Sequence, residues 1–140
     1  MQGSERAAAN SITTTHGIEV EAAAQLLEGR SMPERKRWLY AYRIRIRNVG
    51  DIPQRLVSRH WVITDAQGEQ REVRGDGVVG EQPRLEPGES HEYHSMADLS
   101  TPWGTMEGTY RFVTDEGDER DIVIGRFFLA ESADNTIVAE

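Results

Sequence analysis

The chain has 140 residues, no cysteine and a formal net charge of −8. That length suits one domain able to bury a core without staples, and the composition excludes disulfides, thiolate metal sites and a cysteine nucleophile. The acidic balance argues against a general nucleic-acid binder, and no stretch approaches the roughly 20 apolar residues that cross a bilayer, so neither a nucleic-acid partner nor membrane insertion is expected.

Residues 1–12 are polar, small and aperiodic, and they read as a flexible N-terminal extension. They lack the apolar region of a signal peptide. With the missing cysteines, this leads to an expected cytoplasmic location. Ile18, Val20, Ala22 and Ala24 then alternate with other residues and predict a first strand near 14–26, although Glu21 to Leu27 taken alone also permits a helix. Residues 28–33 form a loop. Residues 35–48 show the clearest period of two: Trp38, Tyr40, Tyr42, Ile44 and Ile46 face one way, while Arg37, Arg43, Arg45 and Arg47 face the other. That basic face could meet phosphates or an acidic partner, but pairing with acids on neighbouring strands is the preferred reading. Residues 35–74 carry ten Lys/Arg against four Asp/Glu, and residues 75–140 carry four against fifteen, so opposite charges are available to meet across strands.

Further strands are predicted at 54–64, 69–74 and 90–96, then through Met106, Gly108, Tyr110 and Phe112, and from Arg120 to Leu129. Polar turns separate them, and the tail over 131–140 is polar. Seven to eight short antiparallel strands with turns this regularly spaced predict an all-β sandwich over residues 13–130. Trp61 falls mid-strand, where such folds bury a tryptophan, and Gly108-Thr109-Tyr110 resembles the approach to a tyrosine corner.

The stretch Arg59-His60-Trp61-x-Ile63-Thr64-Asp65 leads towards Gly75-x-Gly77-Val78-Val79-Gly80-Glu81-Gln82-Pro83, and then Leu85-x-Pro87-Gly88-Glu89. With Ser95 and the run Thr101 to Tyr110, this pattern resembles the ApaG family over roughly residues 13 to 130. The resemblance implies an immunoglobulin-like or fibronectin-type-III-like sandwich. It also implies a binding module rather than an enzyme, because such domains occur alone in bacteria and attached to F-box and polymerase-interacting proteins in eukaryotes. Bacterial members are described as linked to cobalt and magnesium tolerance or efflux. The family's glycine loop carries over to Gly75, Gly77, Gly80, Glu81, Gln82 and Pro83, and its strand motif to Arg59, His60 and Trp61. Family members often have a basic residue between the first two glycines, where this chain has Asp76, a departure that disfavours phosphate binding.

The residues themselves agree on the absence of catalysis. Gly75-x-Gly77-x-x-Gly80 matches a dinucleotide fingerprint, but the mechanism behind it needs a helix N-terminus next, and Pro83 and Pro87 forbid one. A glycine-rich turn can still present backbone N–H groups to an anion, against the repulsion of Asp76, Glu81 and Glu86. His91 and His94, three apart on a strand, point to opposite faces and share no metal. His60 should point away from its neighbour Trp61. Asp115 to Asp121 is too short a hairpin for a calcium cage. No metal site, cofactor or catalytic constellation is therefore expected. The candidate binding residues are Gly75, Gly77, Val78, Val79, Gly80 and Glu81, with Arg59 and His60. The expected function is a soluble module that binds a protein partner. The alternative is a nucleotide or pyrophosphate binder, or hydrolase, that uses the Gly75–Gly80 loop. Within that loop Val78 and Val79 form an apolar pair, expected to be folded inward by Pro83 and Pro87.

Overall fold

The computed structural model describes residues 10–131. In chain order its strands are β1 (Ser11–Thr15), β2 (Ile18–Leu26), β3 (Trp38–Asn48), β4 (Gln54–Asp65), β5 (Gln70–Asp76), β6 (Arg84–Leu85), β7 (Ser90–Leu99), β8 (Gly104–Thr114) and β9 (Glu119–Leu129). All pair antiparallel. One sheet has the order β1-β2-β3-β7; the other has β5-β4-β8-β9, with β6 added beside the start of β4. The two sheets form an all-β sandwich around a single core that includes Tyr40, Tyr110, Phe112 and Phe127.

The period of two in β3 buries Tyr40, Tyr42, Ile44 and Ile46 and leaves Arg43, Arg45 and Arg47 outside. Acids of both neighbouring strands stand at positions opposite two of those arginines. Glu19 and Glu21 of β2 stand opposite Arg47 and Arg45, Glu92 of β7 also stands opposite Arg45, and Arg43 lies 4.0 Å from Glu92. The basic face is thus flanked by acids, and Arg43–Glu92 is its one ion pair among the described residues.

Four expectations need correction. The first strand is two: His16 and Gly17, at φ 50° and 80°, make a two-residue turn between β1 and β2. Positive φ at both central positions is the geometry whose twist suits a hairpin. Ser11 and Ile12, placed above in the extension, belong to β1, because their partners on β2 begin at Ala22. The short β6 and a turn of 3-10 helix at Glu28–Arg30 lie where only loop was predicted, and a second such turn at Pro33–Arg35 takes in Arg35, so β3 begins at Trp38 rather than at 35. Finally, Tyr110 does not bond back to upstream backbone; its hydroxyl meets that of Tyr93 across the two sheets.

One side of the sandwich is sealed. Ser11 and Thr13 hydroxyls donate to the carbonyls of Gly125 and Val123 on β9 at 3.0 and 2.9 Å, and Val123 N–H donates to Thr15 Oγ1 at 3.2 Å. The opposite side, between the edges of β5 and β7, is bridged by Arg71, whose Nη2 donates to the Asp98 carbonyl at 2.8 Å.

Candidate functional site

The glycine loop stands on an irregularity of β4. Asp76 ends β5 opposite Ser58, and Arg84 begins β6 opposite Arg55, so residues 77–83 face only Leu56 and Val57. The ladder between β4 and β8 shifts register at the same point. A bulge frees backbone groups from the ladder, and the loop takes them up: Val57 carbonyl accepts from Gly77 N–H at 2.8 Å and from Gln82 Nε2 at 2.9 Å, while Leu56 N–H donates to Pro83 carbonyl at 3.0 Å. The bond from Leu56 returns the chain to β4.

The loop itself is a miniature hairpin. Val78 and Glu81 exchange backbone hydrogen bonds at 2.8 and 3.0 Å around Val79 and Gly80, whose φ values are 48° and 81°. Gly77, at φ 63°, has no room for a side chain, since a Cβ would meet the Glu81 carbonyl oxygen at 2.4 Å. Arg59 braces the base: its Nη1 donates to the carbonyls of Asp76 and Gly77 at 3.0 and 2.9 Å, and its guanidinium lies over Gly75. The glycine spacing thus answers to backbone conformation and close packing. The N–H groups of Gly77, Val78 and Glu81 already hold carbonyls, which leaves few for an anion.

The hairpin separates the valine pair. Val78 is 1% exposed and joins the core, as expected for both; Val79 is 64% exposed and corrects that expectation. Val78 is the last stem residue and Val79 the first of the turn, so Val78 stays with the core while Val79 is carried onto the tip. A β-branched residue is poorly suited to positive φ, a position where Asn and Gly are favoured. Val79→Asn is therefore expected to stabilise the fold by about 1 kcal/mol, read as a raised urea midpoint. A lowered midpoint would show that Val79 makes contacts worth more than the strain.

Outside the loop, Ser58, His60, Arg74, Thr109, Arg111 and Asp121 line an open hollow of about 500 Å³. Arg59 also borders it, held by backbone carbonyls, and the hollow's other cations are matched by acids. His60 Nε2 lies 2.8 Å from Glu72 Oε1, Arg74 lies 3.1 Å from the same oxygen, and Arg111 holds Asp121 and Glu119, each at 3.0 Å. The hydrogen bond from His60, with Arg74 behind it, holds the Glu72 carboxyl below its usual range. His60 thus points away from Trp61 and ties β4 to β5. His91 and His94 fall on opposite faces, His91 half-buried beside Tyr93. Asp115 in the acidic turn is held by Arg84. Among the described residues no group of three His, Cys, Asp or Glu is placed to hold an ion.

A second feature lies between the sheets. On the open side, Tyr42, Arg59, Trp61, Ile63, Val73 and Ala97 border a cleft of about 190 Å³. Trp61 is 2% exposed, and its Nε1–H finds no acceptor among the described residues. The sequence held a signal for this cleft: Arg59, Trp61 and Ile63 share one face of β4 at a spacing of two, so an arginine joins two core residues on the inward side.

Behind the cleft, burial pushes the hydroxyls of Tyr93 and Tyr110 well above their ordinary value, and burial raises Tyr40 to about 12. The unfolded chain releases these protons near the ordinary 10.0. Their contribution to stability is thus complete below pH 10 and lost as pH rises from there towards the folded values. The urea midpoint should stay level up to that point and then fall, and Tyr110→Phe should make the fall shallower. An equal slope in the variant would remove Tyr110 from this role.

Residues 28–114 match a model of the ApaG domain. The chain is similar to Protein ApaG of Dechloromonas aromatica, with 48% identity over 118 residues that span 84% of this chain and 93% of that protein. It is similar to Protein ApaG of an Azoarcus species, with 52% identity over 116 residues, 83% of this chain and 91% of that protein. A crystal structure from Bordetella pertussis, provisionally named ApaA protein, superposes with a TM-score of 0.80 at 40% identity, covering 89% of this chain and 98% of that one.

Proposed function

The chain belongs to the ApaG domain family, and from that membership we propose a non-enzymatic binding module, placed in the cytoplasm, that meets a protein partner through the hairpin tip at Val79. One observation carries this reading: an apolar, β-branched residue stands 64% exposed at positive φ on a tip held from both sides. Strain of that kind costs about 1–3 kcal/mol and persists where the surroundings enforce it. Here Arg59, Gln82 and the Val78–Glu81 exchange enforce it. A contact residue fixed before binding loses little conformational freedom on binding.

The nucleotide alternative is disfavoured because the N–H groups of Gly77, Val78 and Glu81 already hold carbonyls and the carboxylates of Asp76 and Glu81 stand in the same loop. A role in cobalt or magnesium tolerance would run through the partner rather than through an ion held by this chain.

Val79→Asp is the test. It should leave thermal unfolding close to that of the parent and remove a protein that the parent retains from lysate and that cross-links to the tip. A variant that keeps every retained protein at parental yield would end the proposal. Millimolar nucleotide should leave the amide resonances of residues 75–82 unmoved; saturable shifts there would restore the alternative.

A further inference from the structure

We propose that the cleft between the edges of β5 and β7 binds a small organic carboxylate, at a site distinct from the Val79 tip. Two independent observations meet there. Trp61 Nε1–H is buried without an acceptor among the described residues. Buried donors in folded chains nearly always have a partner, because an unpaired one forfeits its bond to water. Two positions earlier on the same inward face, Arg59 is half-buried and pairs with no carboxylate among the described residues; its Nη1 meets only the neutral carbonyls of Asp76 and Gly77. A guanidinium so placed, partly desolvated and without a carboxylate beside it, favours an anion.

The walls select the kind of anion. Ile63, Val73, Ala97 and Met106 give the cleft an apolar part beside the polar Ser95 and Asp98, so a small acid with an apolar body can be seated there. The second arginine at the cleft, Arg71, is matched by Asp98, with 3.5 Å between Nη2 and Oδ1. One unmatched guanidinium balances one negative charge. The Arg59 guanidinium supplies charge-assisted N–H donors for a carboxylate, and Trp61, two residues along the same face, carries the N–H that lacks an acceptor among the described residues. A phosphate dianion would bring two charges to that one guanidinium, with the Asp98 carboxylate nearby. At about 190 Å³ the space admits a compact acid rather than a nucleotide.

Sodium benzoate is a suitable probe, followed by the indole resonance of Trp61 in the ¹⁵N-labelled chain, with the resonance assigned by its loss in Trp61→Phe. Benzoate should shift that resonance saturably. Benzamide, of the same shape without charge, should bind at least roughly tenfold more weakly, and inorganic phosphate should leave the resonance in place. Val73→Glu puts a fixed carboxylate on a wall residue that is 37% exposed, and it should abolish the benzoate shift in a chain that stays folded. The proposal is overturned if the Trp61 resonance of the parent ignores benzoate, if benzamide binds equally well, or if folded Val73→Glu binds benzoate as the parent does. A peptide such as acetyl-Gly-Gly-Phe binding more tightly than benzoate would also overturn it, by assigning the cleft to a chain terminus.

Discussion

Gly108→Ala should lower the stability of the fold by about 3–5 kcal/mol, a large share of the total for a domain of this size. Gly108 stands opposite Trp61 on the ladder between β4 and β8. A Cβ there would lie 2.0 Å from the His60 carbonyl oxygen and 3.0 Å from its carbon. The obstacle is backbone, so no side chain can turn aside. The two strands would have to part by more than an ångström at the centre of the second sheet, where β4 carries Leu56, Trp61 and Ile63 into the core. Gly29 is the control, since a Cβ there meets nothing within 4 Å. Urea unfolding should show a much lower midpoint for Gly108→Ala and little change for Gly29→Ala. Equal midpoints for Gly108→Ala and the parent would mean that β8 yields at no cost and that the close approach carries no weight.

The second large effect is Val78→Asp, expected to destabilise by about 3 kcal/mol or more, as for a carboxylate buried without a partner. Val78 is 1% exposed, and its neighbours in the core are hydrocarbon and aromatic groups. The same substitution one residue later falls on a side chain in water. The pair therefore tests the hairpin geometry: a substitution damaging at 78 and silent at 79 follows from a buried stem residue next to an exposed tip residue, whereas similar losses at both would mean that the tip packs inward. The readout is the denaturant midpoint at constant slope.

How far the sequence discloses this architecture depends on how far each interaction reaches. Alternation in β3 was legible because one face is wholly buried and the other is charged, so every residue reports its side. The β1–β2 turn was hidden because the alternation begins only at Ile18, and Ser11 to Thr15 before His16 are polar apart from Ile12, so nothing marked them as a separate strand. Val78 and Val79 read as a pair because adjacency is visible, whereas the bond exchange between Val78 and Glu81 that parts them is a matter of geometry. The candidate binding residues were named as one group. In the fold Arg59 braces the loop from the inner face, His60 faces outward to Glu72, and the glycines shape the turn. The cleft beside Trp61 needs β7, contributed by a distant part of the chain, so no local pattern could outline it.

The joint between β1 and β9 bears on the order of assembly. Its hydroxyl bonds join residues separated by 108 to 114 positions, whereas β8 and β9 meet across a four-residue turn. Long closures give up chain entropy before any contact rewards them, so local hairpins form early and distant joints late. The seam thus closes last, after both sheets exist to receive it. Three hydroxyl groups and the side-chain amide of Asn10 hold it in place of a continuous ladder, so in the native ensemble it is also the first region to loosen. Backbone amides of β1 should then exchange with solvent through brief local opening, while those of β4, paired on both sides, wait for the whole molecule to unfold.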